Sequence, residues 1–365
     1  VTESWRSLYV TCLVAAFVCY LVGLLLLARR PTRLRIVAAF AIGIQLIPLG
    51  APLLLSTDAW SYWDYGRIAS VDGGNPYQDP PDTFPADPAF TYAGHAWRDT
   101  TSVYGPAFTL ASEPIGRLVG SSATAAAWAY KALAAIAVLV AAGLATFLAR
   151  RKSFALAFVG WNPLLALDFA GGGHNDAWMA AAVLAALALA AANRRRLAAV
   201  TWAIAIFIKW IPLLLLPLHA FERRATKSRF DHTALAASMV VLAGIATWRY
   251  GTGWSNAFKP LARAARQGSH LAVPHRIAEL GVGSAVALAI VGLAFVVAYA
   301  WLVRDAWRGH ARLGLTAGLI LLAAPYVVSW YTVWAVPLAA AEDDLAAQIL
   351  TLALCAYLLR QGVTH

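Results

Sequence analysis

Asp58 ends an apolar run and opens the stretch Ser56-Thr57-Asp58-Ala59-Trp60-Ser61-Tyr62-Trp63-Asp64-Tyr65-Gly66-Arg67. A carboxylate at the edge of hydrocarbon is costly to hold there, so it reads first as a functional group, and a proton acceptor is the role its chemistry suits. Ser56, Thr57 or Asp58 would equally serve as an N-cap, a role compatible with the first. Asp64 stands between a solvated helical face and a part in the same site. Further on, Gly171-Gly172-Gly173-His174-Asn175-Asp176 joins a loose backbone to a helix start, which suits a phosphate or sugar oxygen. The same residues would also make a tight helical connection, with Asn175 as cap and Asp176 favoured by the dipole. His174 has no second ligand at metal spacing, so no metal is expected. Lys209 interrupts an apolar run together with Pro212, and a charge at that depth faces a cavity or a partner, Asp168 being one candidate. Lys259, Arg263, Arg266 and His270 recur at i, i+4, i+7 and i+11 on one face of a helix that Pro260 would start. They suit an anionic ligand such as a lipid phosphate, or anionic headgroups. Trp330, Tyr331 and Trp334 suit an interfacial aromatic belt as well as a binding wall.

The elements that must position these residues are membrane helices. Of 365 residues 61% are apolar and only 13% charged, which excludes a water-soluble globule. The formal charge of +11 lies mainly in short clusters between apolar runs, the positive-inside pattern, rather than along a face that would bind nucleic acid. Cys12, Cys19 and Cys355 fall within apolar runs and form neither a disulfide framework nor a metal pattern. The first apolar run reads as an uncleaved span.

Apolar runs predict about ten spans, near 8–27, 35–55, 123–148, 154–170, 176–192, 233–250, 284–303, 313–329, 330–341 and 345–359. Arg29 to Arg35, Arg150 to Lys152, Arg194 to Arg196, Arg223 to Arg229 and Arg304 to Arg312 mark the cytoplasmic side. The N-terminus, the 56–122 loop, the 171–175 turn, the 251–283 loop and Ser329 to Tyr331 then fall outside. Basic clusters on both sides of 197–221 make that segment a re-entrant hairpin with Lys209 at its apex. The 56–122 loop carries eight acidic residues against three basic ones. Within it, 58–70 has the spacing of a helix lying in the membrane interface, prolines break 75–88, and 106–119 resumes as a second surface helix. The fold class expected is thus an all-α polytopic membrane protein, with residues 1–365 forming a single transmembrane domain.

The ordered succession of Asp58-x-Trp60-Ser61-Tyr62-x-x-x-Gly66-Arg67, Asn75-Pro76-Tyr77, Tyr104-Gly105-Pro106, Asn162-Pro163, Gly171-Gly172-x-His174-Asn175-Asp176, Lys209-x-x-Pro212 and Trp330-Tyr331-x-x-Trp334-x-x-Pro337 resembles the GT-C glycosyltransferases. The likeness is greatest to the actinobacterial polyprenyl-phosphomannose-dependent α-mannosyltransferases. It implies a GT-C helical bundle that moves a sugar, with mannose the expected one, from a polyprenyl-phosphate carrier to a hydroxyl of a cell-envelope glycolipid or glycan. The transfer would take place on the outer side of a bacterial plasma membrane, by inverting displacement, with Asp58 as base and no cofactor. Tyr62, Asn75 and Tyr104 would shape the acceptor and sugar pockets. His174, Asn175, Lys209, Arg263 and Arg266 would serve the donor phosphate, and Asp64, Asp176, Lys259, Trp330 and Tyr331 would line the substrates. A polyprenyl-phosphoarabinose donor, or a transporter or flippase of lipid-linked sugars, is the alternative. One departure is the apolar run that precedes the Asp58-bearing span, where many GT-C proteins place the Asp after their first span.

Overall fold

The computed structural model describes residues 3–30 and 32–359, and every regular element among them is a helix. The chain is an all-α polytopic membrane protein. The expectation for the N-terminus itself falls outside the described residues. Helix α1 (Glu3–Arg29) is followed by α2 (Leu34–Leu46), which tightens at Pro48 into a 3-10 turn, Ile47–Gly50. Helices α3 (Asp58–Ser70) and α4 (Pro106–Val119) lie where the sequence places them. Helix α5 (Ala123–Leu148) begins at Ser122, whose hydroxyl accepts the Ala125 N–H at 3.2 Å.

Helix α6 (Lys152–Gly160) and the short α7 (Pro163–Leu165), which runs on as a π-helical turn, Ala166–Gly171, are bent by 43° at Asn162-Pro163. The break is satisfied locally. Asn162 Oδ1 accepts from the N–H groups of Leu164 and Leu165 at 3.0 and 3.4 Å, and Gln45 Nε2 donates to the Gly160 carbonyl at 3.1 Å. There follow α8 (Asp176–Ala191), α9 (Arg195–Ile208), α10 (Pro212–Ala225), α11 (His232–Tyr250), α12 (Phe258–Gln267), α13 (Val273–Ile277), α14 (Ser284–Ala306), α15 (Leu313–Ala323), α16 (Val336–Glu342) and α17 (Leu345–Leu358).

Four stretches among the described residues are long and apolar enough to cross a bilayer: Ser7–Arg29, Ala123–Leu148, His232–Gln267 and Ser284–Ala306. The bent pair adds a fifth, and the remaining apolar helices are shorter. The stretch 330–341, expected as one span, is a 3-10 turn (Ser329–Trp334) followed by the seven residues of α16. At about 1.5 Å per residue α16 reaches roughly 10 Å, a third of a hydrocarbon core, because the chain is broken where Trp330 to Trp334 turn inward.

Burial shows which helix is central. Half of the apolar window of α5 is buried within the protein, against 11% for α14, and α5 packs on α3, α4, α6, α8 and α16. The outward faces of α11 and α14 carry Val240, Val241, Leu293, Val296 and Val297 exposed, as a lipid-facing surface requires.

Helix α3 differs from the interfacial helix expected. All its residues except Trp60 and Ser70 are buried. The 75–120 segment closes over it. Gly66 allows the Ser112 carbonyl of α4 to come so near that a Cβ would stand 2.4 Å from its oxygen. Arg67 grips Asp87 with two nitrogens at 2.8–2.9 Å and donates to the Gly120 carbonyl at 2.9 Å. The Arg249 guanidinium pairs with Glu113 at 3.0 Å, and Tyr250 donates to Glu113 at 2.6 Å, so α11 is bound to α4.

Candidate active site

Four interruptions of the helical bundle meet around Asp58. The first is the turn that follows α2. Its carbonyl groups at Leu49 and Ala51 accept from Lys131 Nζ on α5 at 3.1 and 2.5 Å. Leu54 N–H donates to the Gly171 carbonyl, which ties this turn to the glycine-rich one. Asp58 is then the first residue of α3. Ser56 Oγ accepts the Asp58 N–H at 3.1 Å, and the N-cap residue, Thr57, makes no capping bond with its side chain. Capping therefore leaves the Asp58 carboxylate unspent.

The second interruption, Gly171 to Asn175, presses on α3 and α5. Gly173 has φ +73, and a Cβ there would lie 3.2–3.3 Å from the Lys131 backbone nitrogen, Ala59 and Tyr130, so only glycine fits. That approach brings His174 Nδ1 to 3.2 Å from Asp58 Oδ2, though not in the alignment of a hydrogen bond. His174 is wholly buried, with its ring stacked on Trp330 at a centroid distance of 3.8 Å. The Asn175 side chain does not cap α8. Both of its polar atoms are buried and unpartnered, while its backbone N–H donates to Tyr62 Oη at 3.5 Å.

At the third interruption α9 ends, Lys209 is extended at φ −156 and ψ 143, and α10 begins at Pro212. Gly105 N–H donates to the Ile208 carbonyl, and a Cβ at Gly105 would stand 2.1 Å from the Phe207 oxygen. Tyr104-Gly105-Pro106 is thus fitted to the break. Lys209 pairs with Asp176 at 2.5 Å, which corrects the Asp168 partner suggested from sequence. Asp168 instead accepts from Ser329 Oγ at 3.0 Å.

The fourth interruption supplies Trp330, Tyr331 and Trp334. Trp334 Nε1 donates to the same Asp176 oxygen at 2.6 Å, and Tyr331 stacks on Trp334 at 4.2 Å. Lys209 Nζ lies 4.9 Å from the Tyr331 ring centre and 5.5 Å from that of Trp334. These rings serve the interior, not an aromatic belt at the lipid surface. Tyr62 and Tyr331 each lie within electrostatic reach of both Asp58 and Asp176, and Tyr62 packs edge-on against Tyr104 at 4.9 Å. Burial, then the Asp58 charge, pushes the Tyr62 phenol well above its ordinary range.

Asp58, Tyr62, Tyr104, His174, Asn175, Asp176, Lys209, Trp330 and Tyr331 therefore form one enclosed, aromatic-walled polar cluster. Three other groups of expected site residues stand elsewhere. Asn75 uses its side chain on the Tyr250 carbonyl at 2.7 Å and the Tyr77 N–H at 3.1 Å, which anchors the loop. Asp64 is buried rather than solvated, and neither carboxylate oxygen has a hydrogen-bond partner. Burial, then Asp87 and Asp72, raises its pKa to about 7. Lys259, Arg263 and Arg266 are exposed on α12, whose Phe258 rests on Trp210 at 4.7 Å, one residue beyond Lys209.

One residue, Lys131, and one contact, that of Trp334, escaped the sequence reading. Lys131 was signalled by a charge inside an apolar helix of 26 residues. Trp334 was visible as a motif residue, but its bond to Asp176 spans 158 positions and has no local signature.

Residues 2–222 match the family model described as alpha-(1->6)-mannopyranosyltransferase, N-terminal domain. Alpha-(1->6)-mannopyranosyltransferase A of Mycobacterium tuberculosis is 28% identical over 345 residues, 81% of this chain and 65% of that protein. The protein of that name from Corynebacterium glutamicum is 28% identical over 237 residues, 58% of this chain and 48% of its own length. A probable alpha-(1->6)-mannopyranosyltransferase of Mycolicibacterium smegmatis is 28% identical over 354 residues, 80% and 62% respectively. The chain thus spans between about half and two thirds of these curated relatives. No solved structure matches it significantly. With more than half of its 365 residues inside the family model, the chain belongs to the alpha-(1->6)-mannopyranosyltransferase family.

Proposed function

We propose that the chain transfers a mannosyl group from a polyprenyl-phosphate carrier to a hydroxyl of a cell-envelope glycolipid or glycan, at the outer face of the membrane. Asp58 is the base. The acceptor O–H proton passes to its carboxylate as the acceptor oxygen bonds to the anomeric carbon. The bond from that carbon to the phosphate oxygen breaks, and its electron pair leaves with the phosphate. One base and one leaving group give a single displacement with inversion.

The observation that carries this reading is the enclosure of Asp58 and the Lys209–Asp176 pair in one aromatic cluster, where Tyr62 and Tyr331 lie within reach of both. A carboxylate and an ammonium set apart in this way match the two charges that develop, one at the attacking hydroxyl and one at the departing phosphate. Lys209, already held by Asp176, meets the phosphate. The aromatic rings stack on the pyranose and exclude water. The exposed cations of α12 draw the anionic donor toward the Lys209 break.

The test is mannosyl transfer by the purified chain from a short polyprenyl-phosphate mannose to an alkyl mannoside. Asp58→Asn keeps size and hydrogen bonding but removes the base, and is expected to lower kcat by about 10²–10⁴-fold. Full activity in Asp58→Asn would remove the centre of the proposal.

A further inference from the structure

Asn175 stands at the N-cap position of α8 and does not cap it. Its backbone is helical there, at φ −75 and ψ −11, where a capping residue is extended, and its side chain makes no bond to the first turn. The residue is 1% exposed, yet neither Oδ1 nor Nδ2 has a hydrogen-bond partner among the described residues. Buried polar side chains are otherwise bonded, because an unpaired amide loses its water and gains nothing in return. The residues on either side are both committed. His174 Nδ1 lies 3.2 Å from Asp58 Oδ2, and Asp176 Oδ1 receives Lys209 at 2.5 Å. Asn175 thus joins the residue beside the base to the residue that holds the cation assigned to the phosphate. In a single displacement the anomeric carbon lies between the attacking hydroxyl and the departing phosphate. The pyranose being transferred therefore occupies the interval that Asn175 spans.

We propose that the Asn175 amide binds hydroxyl groups of the transferred pyranose and so sets which sugar the chain accepts. The inference rests on the reading of Asp58 as the base and of Lys209 as the partner of the phosphate. It departs from a role for Asn175 as a ligand of the donor phosphate.

Counting donors and acceptors separates a sugar from a phosphate. An ionised phosphodiester offers acceptors only, so Nδ2 could meet it while Oδ1 would stay unpaired and repel it. The next residue adds a second such atom. Asp176 Oδ2 is buried and unpartnered, since Lys209 and Trp334 both bond to Oδ1. A hydroxyl, by contrast, both donates and accepts. Adjacent ring hydroxyls can give one hydrogen to Asn175 Oδ1 and another to Asp176 Oδ2, and one of them can accept from Nδ2. The backbone is fixed for this purpose, with the Asn175 N–H donating to Tyr62 Oη at 3.5 Å and Gly173 pressed between α3 and α5. A site built to bond a hydroxyl rejects an analogue that lacks it, because its own buried groups are then left unpaired.

The experiment measures kcat/KM of the purified full chain, with an alkyl mannoside as acceptor, for short polyprenyl-phosphate mannose and for its counterparts lacking the hydroxyl at C2, C3, C4 or C6. In the native chain at least one deoxy donor is expected to fall by about 10–100-fold. Asn175→Leu, close in shape but without the amide, should lose a similar factor with mannose and treat mannose and that deoxy donor alike within about threefold. Its unfolding midpoint should equal or exceed the native one, since the amide bonds nothing in the fold. Inhibition by polyprenyl phosphate without a sugar should stay within about twofold of native, which loss of a phosphate ligand would not permit. A loss shared equally by all the donors, or an inhibition constant that rises with it, overturns the proposal. So does a native chain indifferent to every deoxy change. Asn175→Ala, too small to clash, guards against a Leu variant that fails to fold and should show the same collapse of the donor ratio. If neither variant folds, the amide is structural and the proposal is overturned. Asp58→Asn in parallel separates the two failures. If it stays active, the base assignment fails and this inference falls with it. If it is inactive while Asn175→Leu keeps the native donor ratio, the base stands and the sugar contact alone is refuted.

Discussion

Removing Lys209 should expose how much of the Lys209–Asp176 pair is architecture and how much is chemistry. Asp176 is 1% exposed, and one of its oxygens receives Lys209 at 2.5 Å and Trp334 at 2.6 Å, while the other has no partner. At an effective dielectric constant of about 20 the gross attraction of unit charges at that separation is roughly 7 kcal/mol. Desolvation offsets much of it, since the Lys209 side chain is only 17% exposed. Lys209→Met therefore leaves a buried carboxylate held by one indole N–H, at a cost of about 3–5 kcal/mol. In a scan of the purified chain the unfolding midpoint should fall by several degrees. Lys209→Met combined with Asp176→Leu removes both charges, and should recover most of the midpoint while mannosyl transfer stays lost. Such a split would show that the pair's stability comes from mutual compensation, and its activity from the ammonium. A single variant with a native midpoint, or a double variant as unstable as the single, would refute the reasoning.

Two further outcomes follow from groups outside that pair. Asp64 has a folded pKa of about 7 against an ordinary 3.8, so the fold binds its proton more tightly than the unfolded chain does. Its stabilising contribution is full below the ordinary value and is lost as pH rises to about 7, to an upper limit of about 4 kcal/mol. Asp64→Asn should unfold at a higher temperature than the native chain at pH 8, with less difference at pH 5. Asp72, raised to about 6 by burial and Asp87, keeps part of the slope. Equal midpoints for the two chains at pH 8 would show that Asp64 carries no such cost. On α12, Lys259→Ala with Arg263→Ala should raise the donor KM by about 3–10-fold at low salt, with kcat unchanged, and the difference should shrink in 0.5 M salt, where the screening length is about 4 Å. A native donor KM in that variant would assign the face to lipid headgroups.

What was legible in the sequence was whatever a local pattern carries. The bounds of α3 and α4, the break at Lys209 and the burial of a charge there follow from residues close to one another in the chain. What was not legible depends on which distant surface covers a given face. Periodicity gave 58–70 the spacing of a helix lying in the interface but did not reveal that Asp87 and α4 would enclose it. The partner of Lys209 was equally hidden. Asp168 and Asp176 are both carboxylates in the same stretch of chain, and only the packing of α8 against α9 brings Asp176 to the break. Trp330 to Trp334 had the composition of a belt, and only the inward 3-10 turn gives them an interior role.

The helix breaks and the candidate site are one structural event. Where a helix is interrupted at membrane depth, its freed N–H and C=O groups need polar partners that lipid does not supply. Lys131 meets the carbonyls after α2, Gln45 donates to a carbonyl of the bent pair while Asn162 accepts from its N–H groups, and the Gly105 N–H meets the last carbonyl of α9. Once such partners are present, further charges are held there at less cost than anywhere else in the bundle. Asp58, Asp168, Asp176 and Lys209 all stand at, or within a few residues of, such a break. On this argument a substitution that repairs a break, for example by making Lys209 helical, would not merely move one side chain. It would remove the polar surroundings in which the neighbouring carboxylates sit.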